Sequence, residues 1–215
     1  MFERIIIPLD GSELGERALP YAEELAGAFG SEVSLVFVCD MEHCQYHREH
    51  QAYVERTAQQ VGAHVKEKGD KAVTKPVVLE GDPAEAIIDY AEENDTNLIV
   101  MATHGRSGIM SWVMGSTANK ILYGVSMPVL LVRAAAPSPR GGKQEQILSR
   151  ILVPLDGSEV GEAALPYVRE LAKKLKLEII LFQVIPPGQH VHTVGGLDYF
   201  LFPEQEIERM KASAS

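Results

Sequence analysis

Two short strings and one helix start carry the residue types that could do chemistry together. Pro8-Leu9-Asp10-Gly11-Ser12 leaves one apolar run, and Met101-Ala102-Thr103-His104-Gly105-Arg106 leaves another. After nine intervening residues beyond Gly105, Gly115-Ser116-Thr117 opens a helical pattern. The first amides of a helix have no intrahelical acceptor and carry partial positive charge, so such a start can hold a phosphate on backbone donors and two hydroxyls. Glycine at 105 and 115 keeps side chains away from phosphate oxygens. No G-x-x-x-x-G-K-[ST] string occurs, so this is not a Walker loop.

Several neighbouring residues read two ways. Asp10 precedes Gly11, a common turn pair, and is either a site acid or a turn former. Arg106 and Lys120 are either phosphate neutralisers or solvated charges. Met110, Trp112 and Val113 form either a flap over the phosphates or packing beneath the loop. His43, Cys44, His47 and His50, with His190 and His192 far downstream, are zinc-ligand types, but surface histidines cluster by chance and no metal is expected. Ser12 and Ser116 are better spent on capping and on phosphate, so no Ser-His-Asp or Cys-His constellation can be assembled.

The elements that must position these strings follow from hydrophobic period. Arg4 to Pro8, Val33 to Cys39, a run ending at Pro76 to Leu79, Asn97 to Ala102 and Pro128 to Val132 are short apolar runs of strand length. Between them lie helical stripes. Leu14, Ala18, Ala22, Leu25 and Phe29 recur at spacings of three and four behind a Ser12 cap, with Pro20 expected to kink that helix. Val54, Ala58, Val61 and Val65 mark a helix from about Arg48 to Lys68, stopped by Gly69. Asp82-Pro83 starts a third helix that buries Ile87, Ile88 and Ala91. Strands alternating with helices imply right-handed crossovers and a mostly parallel sheet, whose ligands sit beyond the strand carboxyl ends where the strand order reverses.

The chain also repeats itself. RIIIPLDGSELGERALPYAEELA (4 to 26) and RILVPLDGSEVGEAALPYVRELA (150 to 172) agree at 17 of 23 positions with an offset of 146. Such an offset marks each copy as one supersecondary unit. The second copy is shorter: a strand, a helix, a second strand, the loop PPGQHVHTVGGLDYFLF and a helix start at Glu204 to Lys211. The expected domains are 1–133, complete; 134–149, a linker; and 150–215, a partial second copy. Two strands and one helix bury too little apolar area to stand alone, so residues 150 to 185 are expected to dock on the first copy or on another chain.

Composition sets outer bounds. The net charge of −10 over 215 residues disfavours a nucleic-acid partner, because duplex phosphates would be repelled on average. No apolar stretch reaches the roughly 20 residues a membrane helix needs, and no leader pattern opens the chain, so a cytoplasmic location is expected. Two cysteines, Cys39 and Cys44, are too few for a disulfide framework.

In Ala102-x-x-Gly105, nine residues, then Gly115-Ser116, with the flanks IVMATHGRSG and GSTANKIL, the sequence resembles the universal stress protein family, whose nucleotide-binding members carry G-x-x-G, nine residues and G-[ST]. The likeness covers residues 1 to 133 and, through PLDGSE, the start of the second copy. It implies an α/β fold with an open, doubly wound, Rossmann-like parallel sheet of five strands ordered 3-2-1-4-5. It implies an ATP site in which Asp10 meets the ribose, Val38 lines the adenine pocket, and Pro8, Met101, Ala102, His104, Gly105, Arg106, Gly115, Ser116 and Thr117 surround ribose and phosphates. Mg2+ would enter only through the phosphates. Ala102 departs from the family's first glycine, and if that position requires positive φ, alanine there costs about 1 kcal/mol or more. Two functions follow: an ATP-binding stress-response or signalling protein without dedicated catalysis beyond slow hydrolysis at most, or a nucleotide-free interaction scaffold. A homodimer through strand 128–132 or through the second copy goes with either.

Overall fold

The strands form where runs of β-branched and aliphatic residues are too short and too continuously apolar to be surface helices. A computed structural model describes residues 1–39, 47–67, 72–103, 114–133, 146–184, 188–193, 196–201 and 203–213. The chain divides into two units, Met1–Leu148 and Ser149–Ser215.

In the first unit β1 (Arg4–Leu9), β2 (Glu32–Cys39), β3 (Val73–Glu80), β4 (Leu98–Ala102) and β5 (Val129–Val132) make one five-stranded sheet in the order β3-β2-β1-β4-β5. All four ladders are parallel. The crossovers contain α1 (Leu19–Phe29), α2 (His47–Glu67), α3 (Pro83–Glu93) and α4 (Ser116–Gly124). The α3 and α4 stripes, Ala84, Ile87, Ala91, Ala118 and Ile121, pack with Ile6, Val36, Ile99 and Met101. The intervening residues Ile5, Ile7, Val33 and Leu35, each at most 1% exposed, alternate to the opposite face, toward α1 and α2. This is the expected doubly wound arrangement. Val54, Ala58, Val61 and Val65 are all buried beneath α2.

One helix differs from expectation. The stripe from Leu14 to Phe29 is broken into a 3-10 turn, Gly15–Ala18, followed by α1. Pro20 therefore sits in the first turn of α1, where its missing N–H has no carbonyl to lose, and kinks nothing. Ser12 holds the 3-10 turn rather than an α-helix: its Oγ accepts from the Gly15 amide at 3.0 Å. Gly69 and residues 134–145 of the expected linker lie outside the described residues. Ile147 and Leu148 belong to the first unit, where their amides donate to the Glu24 carboxylate at 2.7 and 3.1 Å.

The second unit repeats the start of the first. β6 (Arg150–Leu155) pairs in parallel with β7 (Glu178–Gln183), and α5 (Glu159–Glu162) and α6 (Leu165–Leu175) lie between them in sequence. The segment expected to be a loop contains an antiparallel hairpin, β8 (Gly188–Thr193) with β9 (Gly196–Leu201), followed by α7 (Glu204–Ser213).

Candidate functional site

The sheet order reverses between β1 and β4, and there the candidate residues gather. The β1–β4 ladder runs through Ile5–Leu98 and Ile6–Ile99, in the amino-terminal halves of the strands. Beyond those pairs lie the two carboxyl ends, the place where an open parallel sheet leaves a crevice. Strand alternation sets Ile6 and Pro8, Val36 and Val38, and Ile99 and Met101 on the side facing α3 and α4, and Asp10 and Thr103 follow the ends of β1 and β4. Val38 and Met114 are half-buried against the cluster that contains Met101 and Ala118. An apolar wall therefore stands beside the start of α4.

That start is built for an acceptor. Gly115 is the cap residue of α4, and no side chain caps the helix. Its own amide donates to the Thr103 carbonyl at 3.0 Å, which ties the end of β4 to the beginning of α4 and brackets residues 104–113 between them. Ser116 and Thr117 follow as the first two helical residues. A Cβ on Gly115 would lie 3.4 Å from the Thr103 oxygen, at the edge of ordinary contact. α4 itself is seated by Gly124, where a Cβ would come within 2.5 Å of Ile88 Cδ1 of α3. His104, Gly105, Arg106, Met110, Trp112 and Val113 lie outside the described residues.

Ala102 takes no left-handed conformation: among the described non-glycine residues only Asp95 and Lys176 have positive φ. It ends β4 in register with Val132. Alternation turns its methyl away from the crevice, so alanine there carries no backbone strain and only its main chain reaches the site.

Asp10 is held in a tight turn. Gly11 adopts φ 79°, and the Ser12 amide and hydroxyl both donate to Asp10 Oδ1, at 3.0 and 2.7 Å. The turn-forming reading is thus true of that oxygen. The second unit proves the turn self-sufficient: Ser158 donates to Asp156 Oδ1 at 2.9 and 2.7 Å behind Gly157 at φ 79°, with no glycine motif downstream. Ser158's hydroxyl, then its amide, hold the Asp156 carboxyl below the usual range. Reasoning from sequence missed Gly15, whose hypothetical Cβ would fall 2.6 Å from Asp10 Oδ1. The signal was the repeat, since Gly161 stands in the same relation to Asp156 at 2.5 Å.

Tyr53 of α2 was also missed. Its hydroxyl donates to Glu16 at 3.2 Å. Burial first, then the Glu16 charge and hydrogen bond, then the Asp10 charge push that hydroxyl far above the usual tyrosine range, so it stays a donor. Lys120 is committed elsewhere. It pairs at 3.3 Å with Asp82, whose other oxygen caps α3 through the Ala84 and Glu85 amides at 2.9 and 3.2 Å. The Glu85 amide, the Lys120 side chain and the Ala84 amide hold the Asp82 carboxyl below its ordinary range against a smaller opposing effect of burial.

The histidine cluster separates. His50 stacks on Phe37 at 4.3 Å and its Nδ1 lies 2.9 Å from Cys39 Sγ, whereas His47 is exposed at the first position of α2. His43 and Cys44 lie outside the described residues. Among the described residues no group of three His, Cys, Asp or Glu side chains could hold a metal ion, and no helix is long and apolar enough to cross a membrane.

Comparison with known proteins bears on the same span. Universal stress protein MJ0531 of Methanocaldococcus jannaschii is 29% identical over 150 residues, covering 62% of this chain and 83% of that protein. The solved universal stress protein UspA from Lactobacillus plantarum matches with TM-score 0.54 at 20% identity, over 61% of this chain and 98% of that one. A universal stress protein from Archaeoglobus fulgidus DSM 4304 matches with TM-score 0.64 at 22% identity, over 86% of this chain and 68% of that one. At those identities the two solved structures speak for the fold alone. The family model described as the universal stress protein family matches residues 1–133, the span that holds the reversed sheet, the Asp10 turn and the Gly115 helix start. The chain belongs to the universal stress protein family.

Proposed function

We propose that the first unit binds ATP in the crevice between β1 and β4, as a stress-response or signalling protein without dedicated catalysis. The observation that carries this reading is the helix start at Gly115: no side chain caps it, and its amide-to-Thr103 bond fixes it at the sheet's reversal point. Backbone amides there, with the Ser116 and Thr117 hydroxyls, would take the phosphates. Asp10 would accept from the ribose, and Pro8, Val38, Met101 and the main chain of Ala102 would line the base and sugar. His104, Gly105 and Arg106 complete the proposed set by their place in the motif.

The donor set fits a triphosphate: amide donors, two hydroxyls and an apolar wall lie together. Mg2+ would be held through the phosphates rather than by protein carboxylates. What the chain supplies is grip and orientation; a change in a partner's affinity with occupancy is the signalling output in this reading.

A nucleotide-free scaffold is the second reading, and one observation favours it. The Asp10 turn is reproduced at Asp156 in a unit without the glycine motif, so its presence does not by itself require a nucleotide. Titration calorimetry with ATP separates the two. The first reading expects micromolar affinity, about −8 kcal/mol, lost on Gly115→Val, which adds a branched side chain at the helix start, its Cβ 3.4 Å from the Thr103 oxygen. Absence of affinity for every adenine nucleotide supports the scaffold.

A further inference from the structure

Three methionines, Met101, Met114 and Met127, meet on the side of the sheet that α3 and α4 cover. Met101 of β4 is 5% exposed inside that cluster, and Met114 and Met127 are half-buried against it. No methionine is buried on the opposite side among the described residues, where Ile5, Ile7, Val33 and Leu35 fill the core. A thioether packs as an apolar group, yet it takes oxygen from a mild oxidant and becomes polar. Burial decides which of the three sulfurs an oxidant reaches, and position decides what the change disturbs. Met101 is closed off. Met127 is reachable but leads, through Pro128, into β5. Met114 is reachable and directly precedes Gly115, the cap residue of α4. There the Gly115 amide donates to the Thr103 carbonyl at 3.0 Å and the Asn119 amide to the Gly115 carbonyl at 2.9 Å. No side chain caps this turn, so its seat depends on packing, by Met114 before it and by Ala118 and Ile121 within it.

We propose that Met114 is an oxidation site at which a hydroperoxide loosens the start of α4 and so lowers the nucleotide affinity of the first unit. The effect on affinity rests on the ATP reading given above; the effect on α4 rests on packing alone. In the step itself the Met114 sulfur attacks one peroxide oxygen, an S–O bond forms as the O–O bond breaks, and the proton of the transferred hydroxyl passes to the departing hydroxide to give water. The sulfide loses two electrons and the peroxide gains them, leaving methionine sulfoxide. Its oxygen is a strong acceptor placed against aliphatic side chains. The hydroxyl of Tyr90 in that cluster already donates to Ser34 Oγ at 3.3 Å, so it is spent. An acceptor without a donor is costly to bury, and the oxidised side chain leaves the apolar wall for water. The first turn of α4 then loses its support on the Met114 side, where the proposed phosphate donors begin.

Graded treatment of the full chain with hydrogen peroxide tests this, with peptide mass spectrometry, ATP titration and hydrogen exchange read on the same samples. The expected result is that ATP affinity falls about tenfold in step with the Met114 sulfoxide fraction, while Met101 stays reduced and exchange of the Gly115 and Asn119 amides accelerates severalfold. Methionine sulfoxide reductases should restore the affinity and a thiol reductant should not, which separates the sulfoxide from an oxidised Cys39. Met114→Leu, compared with its own untreated form, should change less than about twofold, whereas Met127→Leu should lose affinity on treatment as the wild type does. Loss that tracks Met127 or the exposed Met1, loss that persists in Met114→Leu, or a Met114 that stays reduced throughout overturns the proposal. So does a fully formed Met114 sulfoxide that leaves exchange at Gly115 and Asn119 unchanged. An untreated chain without ATP affinity refutes the nucleotide reading instead, and exchange of those two amides then still decides whether Met114 governs the start of α4.

Discussion

Gly15→Ala should damage the first unit twice over, in stability and in nucleotide affinity, and its counterpart Gly161→Ala should do only the first. The added methyl would stand 2.6 Å from Asp10 Oδ1 and 3.4 Å from Ser12 Oγ. Real Cβ atoms do not approach that closely, so either the carboxylate moves or the backbone does. Moving the carboxylate forfeits the bonds from the Ser12 amide and hydroxyl, at 3.0 and 2.7 Å. Hydrogen bonds to a charged acceptor contribute about 1.5–3 kcal/mol each when sheltered, and partial exposure of Asp10 lowers that. Shifting the backbone instead costs about 1–3 kcal/mol. Either route gives a loss of about 2 kcal/mol, a fall of roughly 5–8 °C in Tm for a unit of this size. Because the displaced carboxylate is the proposed ribose acceptor, ATP affinity should fall roughly tenfold or more, about 1.4 kcal/mol. In the second unit the Cβ would meet Asp156 Oδ1 at 2.5 Å, so local stability should fall there while ATP affinity stays at the wild-type value. Differential scanning calorimetry and ATP titration on both variants read the two effects separately. Equal weakening of ATP binding by both variants, or no effect of Gly15→Ala on either quantity, refutes the reasoning.

Lys176 holds φ 54° at the end of α6 where Gly30 holds 66° at the end of α1, so Lys176→Gly should stabilise the second unit by up to about 1 kcal/mol in urea unfolding. Lys120→Met should change ATP affinity less than about threefold, because its charge is spent on Asp82; calorimetry checks this. The Asp82 carboxyl is held below its ordinary range in the folded state, so its cap supports α3 above the unfolded carboxylate pKa of about 4 and is lost as pH falls through the lower folded value. The protection factors of the Ala84 and Glu85 amides, with the intrinsic pH dependence of exchange divided out, should therefore fall on acidification, and Asp82→Asn should flatten that dependence.

Local chemistry made most of the first unit legible. The stripe Val54, Ala58, Val61, Val65 and the pair Asp82-Pro83 state a buried helix face and a helix start in terms that packing does not override. The order of the strands came from family likeness, because pairing between distant segments leaves little trace in either. Pro20 misled because the apolar stripe runs on through a 3-10 turn: Ala18 and Leu19 are both buried, so period alone cannot show where one helix type ends. The β8–β9 hairpin was hidden by a run in which His190 and His192 take the place of the β-branched residues that mark a strand. At the site, the types and spacing of Asp10, Gly115, Ser116 and Thr117 were readable directly. Gly15 and Tyr53 were not, since one matters through an approach to a side chain five residues back and the other reaches Glu16 from a different helix.

The central claim is that the start of α4 grips phosphate while the turn after β1 steadies the sugar. A crystal of the full chain soaked in millimolar ATP addresses it most directly. The account expects triphosphate density against the amides and hydroxyls of Ser116 and Thr117, with a ribose hydroxyl within hydrogen-bonding distance of the Asp10 carboxylate. Solvent alone in that crevice, at full occupancy of the rest of the structure, contradicts it.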